Sequence, residues 1–110
     1  MADVLMVVPP ERFRDEEFFV TRSVLESAGH TCTVAGTRLD ACSGSRGGTV
    51  KPDVLLASQR AADYAAIVFV GGGGSRLLWD DPQAHRLAHE AAESGLVLAA
   101  ICLAPVLLSR

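Results

Sequence analysis

The sequence predicts one α/β domain over residues 1–110, a three-layer α/β/α sandwich around a mainly parallel sheet, with a small side hairpin. Three observations point there. Short, continuous apolar runs recur at Val4–Val8, Ala65–Val70 and Leu96–Ile101, as expected of strands buried on both faces. Helix-length segments with start and stop signals lie between them. Strands that alternate with helices form parallel βαβ units, whose helices cover both faces of the sheet. A length of 110 residues is enough for one core.

Each element has a local reason. The first strand, Val4–Val8, stops at Pro9-Pro10, because proline cannot donate to a ladder. A helix is expected from about Asp15 to Ala28, with Gly29 available for the left-handed position after its last turn. Thr31–Ala35 is rich in β-branched residues and reads as the second strand. Within "ACSGSRGGTVKPDVLLAS", Ala41–Cys42 and Thr49–Val50 read as a hairpin outside the main sheet, joined by a Gly/Ser turn. Ala65–Val70 is the third buried strand, broken by the glycines at 71–74, and Ser75 opens a short helical turn carrying Leu77, Leu78 and Trp79. Asp81-Pro82 is an N-cap and first-turn pair for a helix to about Ser94. Leu96–Ile101 is the last strand. Ala104, Val106, Leu107 and Leu108 favour a helix behind it, with Pro105 allowed in its first turn. About two turns fit before Arg110. Its apolar face and the neighbouring sheet edge would want further chain or a partner, so the chain is expected to be the N-terminal part of a longer domain.

Composition narrows the function classes. A hydrophobic fraction of 49% argues against disorder. The net charge of −3, with no basic stripe, argues against a nucleic-acid partner. The apolar runs are too short and interrupted to span a bilayer, and "MADVLMVVPP" lacks the features of a secretory signal. Three cysteines without metal-ligand spacing fit a reducing cytoplasm.

In an open parallel sheet, ligands bind outside the carboxyl ends of the strands. The turns gathered there hold Pro9 to Glu17, Gly71 to Ser75, and Cys102 to Leu103. On the first helix Glu17, Thr21, Val24, Leu25 and Ala28 share one row, which makes Glu17 the core-directed member of three consecutive acids. Two readings stand: a buried carboxyl kept protonated because burial disfavours the ion, or an ordinary first-turn acid favoured by the helix dipole. "VGGGGSR" is neither a P-loop nor a dinucleotide fingerprint, since it lacks Lys-Ser/Thr and carries Arg76 in place of a third glycine. Successive glycines can nonetheless turn amides toward an anion; a plain turn is the alternative. Beside a nucleophile they would form half of an oxyanion hole, with the Leu103 amide as the other half. Cys102 falls at a strand-to-helix turn, where the helix amino end favours a thiolate; a buried structural cysteine is the alternative. Cys32, mid-strand, and Cys42, in the hairpin, lack that setting and read as packing residues. His85 and His89 have metal-ligand spacing, but their helix buries its Leu87, Ala88, Ala91 and Ala92 side, which turns the histidines toward solvent. His30 enters its strand at the amino edge, away from this site.

The stretches "DVLMVV", "RDEEFFVTRSVLESAGHTCTVAG", "GGTVKPD", "YAAIVFVGGGGSRLLWDDPQAHRLAHEAAESG" and "LVLAAICLAPVLL" together resemble the ThiJ/PfpI superfamily. This is the cysteine branch of the class I glutamine amidotransferase-like fold, itself flavodoxin-like. The elbow "AAIC", followed by a small residue and proline, and the acidic helix start carry the resemblance. It implies that Cys102 is the nucleophile and Glu17 the protonated acid bonded to its thiolate. Gly72 and Leu103 would supply the oxyanion-hole amides. It also implies a homo-oligomer, dimer or hexamer, and activities among glyoxalase, deglycase, peptidase and peroxide sensing. Peptidase-like members have Cys-His-Gly-Pro where this chain has Cys102-Leu103-Ala104-Pro105, so the base at that position is missing.

The expectation is therefore a cytoplasmic, cysteine-dependent protein acting on small reactive carbonyls or their protein adducts, with no cofactor, metal, nucleic acid or membrane. The alternatives are a non-enzymatic redox sensor or chaperone-like stress protein working through Cys102, and an intracellular cysteine peptidase.

Overall fold

The computed structural model describes residues 3–71, 81–93 and 97–100, the last four by backbone alone. In chain order the elements are β1 (Asp3–Val7), β2 (Glu11–Phe13), α1 (Asp15–Ser27), β3 (Thr31–Gly36), β4 (Cys42–Gly44), β5 (Thr49–Val50), β6 (Val54–Leu55), β7 (Ala66–Phe69), α2 (Pro82–Glu93) and β8 (Val97–Ala100). Single 3₁₀ turns at Leu56–Ser58 and Ala61–Asp63 link β6 to β7.

Five strands form a sheet in the order β6-β3-β1-β7-β8, and each neighbouring pair is parallel. The chain leaves β1 toward β3 and β6, then returns to the other side of β1 for β7 and β8. The order therefore reverses between β1 and β7, the topological switch point at whose carboxyl side open parallel sheets bind ligands. Register aligns Val7 with Phe69, and Phe69 with Ala100, so β1, β7 and β8 end along one edge.

β1 shows why the sheet has two covered faces. Leu5 and Val7 join one buried cluster with Ile67, Phe69 and the α2 residues Ala84, Leu87 and Ala91. Val4, Met6 and Val8 join the other, with Val34, Val68 and Phe18 of α1. Alternate residues of a strand point to opposite faces, so α1 and α2 cover opposite sides. The α/β three-layer expectation holds.

Capping sets the helix ends. Asp81 accepts hydrogen bonds from the amides of Gln83 (2.8 Å) and Ala84 (3.1 Å), as an N-cap aspartate should. α1 ends at Ala28, and Gly29 takes a left-handed φ of 91°. The His30 amide then reaches back to the Leu25 carbonyl at 3.0 Å, closing the carbonyls that the helix leaves open.

Three details correct the sequence reading. The core row of α1 is turned toward Phe18, which is fully buried, while Val24 is 61% exposed and Ala28 also faces out. The cause is Phe13: its ring meets Phe18 edge-on at 5.7 Å and Phe19 at 6.1 Å, and this aromatic cluster fixes the rotation of α1. Second, the hairpin is part of a three-stranded sheet, β2-β4-β5, with β2 parallel to β4. β2 contains Arg12 at a φ of 54° and a register slip between Glu11 and Phe13, a bulge that turns Phe13 inward. Third, Val54–Leu55 is a short edge strand, and Ala92 of α2 is exposed. The expected turn at 75–79 and the final helix lie outside the described residues.

Phe18→Ala is expected to cost about 3–5 kcal/mol of stability, whereas Val24→Ala should stay within about 0.5 kcal/mol. Urea unfolding measures both; equal losses would show that α1 faces the sheet by a different row.

Candidate active site

The site is built where β1 and β7 end. The Val70 amide donates to the Val7 carbonyl at 2.9 Å, which carries the ladder past the ends of both strands. The Arg14 amide donates to the carbonyl of the buried Gly71, also at 2.9 Å. That bond ties the start of α1 to the chain leaving β7.

Three consecutive acids at this helix start have three environments. Glu16 faces water and pairs with the guanidinium groups of Arg46 (3.1 Å) and Arg14 (3.5 Å). Asp15 accepts the backbone amides of Arg46 and Gly48, each at 2.8 Å. These bonds hold the Asp15 carboxyl below its ordinary range, the Arg46 amide most strongly. Glu17 is half-buried, and its Oε2 is shielded from water with no hydrogen-bond partner among the described residues. Burial pushes its carboxyl above the ordinary range, against the opposing pull of the Arg14 charge and the Gly71 amide, and with a lesser push from Glu16. A protonated carboxyl here presents an O–H donor.

Asp15 is the residue that sequence reasoning missed. The signal was the glycine-rich turn: a Cβ on Gly44 would lie 2.5 Å from both Asp15 carboxylate oxygens. The other three expected site residues, Gly72, Cys102 and Leu103, lie outside the described residues.

Cys32 is half-buried and Cys42 fully buried on β4. Burial raises both thiols above their ordinary range; a secondary push from Glu26 adds at Cys32, and Arg38 opposes it at Cys42. No cluster of three or more metal-ligating side chains occurs among the described residues. His89 is exposed and pairs with Glu93 at 3.0 Å, while His85 is half-buried. A groove of about 640 Å³ runs along α2, lined by Ser58, Arg60, Arg86 and Glu90 among others, and includes none of the expected site residues. Within α2, Arg86 pairs with Glu90 (3.0 Å), and Glu90 accepts the Ala61 amide (3.1 Å), which ties the helix to the 3₁₀ turn beside it. Among the described residues, no helix is long and apolar enough to cross a membrane.

Comparison with known proteins gives a consistent picture. The model of the DJ-1/PfpI family matches residues 2–110. An uncharacterised protein of Methanocaldococcus jannaschii is 40% identical over 99% of this chain and 54% of its own length. Glutathione-independent glyoxalase DJR-1.2 of Caenorhabditis elegans is 30% identical over 94% of this chain and 56% of its own. The crystal structure of a ThiJ/PfpI domain protein from Brachyspira murdochii matches with a TM-score of 0.93 and 33% identity, over 97% of this chain and 62% of that one. Oxidised DJ-1 of Toxoplasma gondii matches with a TM-score of 0.85 and 26% identity, over 96% of this chain and 58% of that one. The chain thus spans about half the length of the curated relatives it matches.

The raised carboxyl of Glu17 predicts a pH signature. A folded-state pKa above the unfolded value contributes stability below the unfolded pKa, and that contribution is lost as pH rises through the folded pKa. Glu17→Gln should therefore be more stable than the parent at neutral pH, with the gap closing toward acid. Urea unfolding across pH 3–8 measures it, and a gap that does not close toward acid would show that the Glu17 carboxyl is not raised.

Proposed function

Because this chain belongs to the DJ-1/PfpI family, we propose that it is a cysteine-dependent protein acting on small reactive carbonyls or their adducts. The observation that carries the reading is the shielded Oε2 of Glu17, without a partner among the described residues, beside Gly71 at the topological switch point. Similarity to the glyoxalase of C. elegans supports the substrate class.

In this reading Cys102 is the nucleophile. It lies two residues beyond Ala100, which β8 places in register with Phe69 at the crevice edge. Its thiolate attacks the aldehyde carbon of a compound such as methylglyoxal. A sulfur–carbon bond forms, and the carbonyl π pair moves onto oxygen, giving a hemithioacetal anion. The amides of Gly72 and Leu103 stabilise that oxygen. Glu17, protonated at rest, donates its O–H to the thiolate and then serves the proton transfers that follow. Leu103 stands where the peptidase-like pattern has histidine, so that position supplies no base.

Cys102→Ser should lower kcat/KM for methylglyoxal by roughly 10³-fold or more, measured by loss of the dicarbonyl. Equal rates in the two proteins would remove this reading.

A second reading, redox response through Cys102, is favoured by one structural observation. Burial raises the other two thiols, Cys32 and Cys42, which keeps them from the reactive thiolate form. Hydrogen peroxide should then convert Cys102 first to sulfenate, with release of water, and with a second equivalent to sulfinate. Mass spectrometry after mild peroxide is expected to find Cys102 modified ahead of Cys32 and Cys42; modification of either of those first would contradict it.

A further inference from the structure

We propose that Asp15 is the positioning residue of this site: its carboxylate clamps the β4–β5 turn to the first turn of α1 and so keeps Glu17 at Gly71. The inference rests on the reading of Glu17 as the site acid.

The N-cap of α1 is Arg14, which makes no side-chain capping bond, so it does not fix the first turn. Two outside anchors do. On the sheet side the Arg14 amide is bound to the Gly71 carbonyl. On the small-sheet side Asp15 Oδ1 and Oδ2 accept the amides of Arg46 and Gly48, residues 31 and 33 positions away in sequence. Hydrogen bonds to an ionised acceptor are the stronger kind.

The seat for this carboxylate is made of glycine. A Cβ at Gly44 or Gly48 would collide with the Asp15 oxygens, and at Gly48 also with the Phe19 ring. The turn is closed by the Gly44 amide on the Gly48 carbonyl (2.7 Å) and tied to β2 by the Ser45 amide on the Phe13 carbonyl (2.9 Å). The charged groups around it are Arg46, Glu16 and Arg14, and Glu16 already spans the two arginines.

Asp15 and Glu17 share a single helical turn, so the grip on one constrains the other. Without the clamp the first turn frays from the small sheet, and water reaches Glu17 Oε2. The Glu17 carboxyl then titrates as an ordinary glutamate.

Amide exchange at Arg46 and Gly48, and ¹³C titration of Glu17, would be measured in the full chain and in Asp15→Ala, Asp15→Asn and Gly48→Ala. Asp15→Ala is expected to speed exchange at both amides at least tenfold and to lower the Glu17 midpoint into the ordinary carboxylate range. Gly48→Ala, which keeps Asp15 but fills its seat, should do the same. Asp15→Asn, with one neutral acceptor oxygen, should fall between. An unchanged Glu17 midpoint in the folded variants overturns the proposal, and if Asp15→Ala does not fold, the other two decide. Neither readout involves Cys102 or a substrate. Unchanged methylglyoxal turnover in Cys102→Ser would therefore sink the functional reading while leaving the clamp intact.

Discussion

One hydrogen bond, from the Arg14 amide to the Gly71 carbonyl, joins the start of α1 to the chain leaving β7 across the point where the strand order reverses. The rest of the site depends on it. It ends the excursion through β2 and sets the first helical turn against the carboxyl edge of the sheet. Glu17 thereby lies half-buried, with one carboxyl oxygen shielded from water. That oxygen has no partner among the described residues, and burial of this kind raises the carboxyl above its ordinary range.

The opposite treatment of the two neighbouring acids supports that reading. Asp15 is held ionised by two amides, and Glu16 is solvated between two arginines. Helix geometry sends the three side chains in different directions, and each direction meets a different environment. The aromatic cluster of Phe13, Phe18 and Phe19 fixes that rotation, with the Arg22 guanidinium 4.8 Å from the Phe18 ring centre. The small sheet thus does more than decorate the domain, since its bulge at Arg12 delivers Phe13 to the cluster.

Much of the architecture was legible in the sequence because burial on both sheet faces writes a continuous apolar run. β1, β7 and β8 announce themselves that way, and Gly29 and Asp81 mark helix ends through local backbone chemistry. β2 and β6 were not legible: Glu11–Phe13 and Val54–Leu55 are too short to show a period. The row of α1 was misread because Phe18 and Val24 are both apolar, and only the nonlocal contact with Phe13 chooses between them. Glu17 borders both rows, so its partial burial follows from either. Asp15 could not be found from spacing, as its partners are amides far along the chain. Their identity carries no side-chain signal beyond the glycines beside them.

The distance between the Cys102 sulfur and the Glu17 carboxyl, measured in a crystal of the full chain, tests the central claim most directly. The expected result is a hydrogen-bonded contact within about 3.5 Å, with Glu17 Oε2 pointing at the sulfur. A thiol packed in the core away from the crevice, or a carboxyl turned into bulk water, would contradict it.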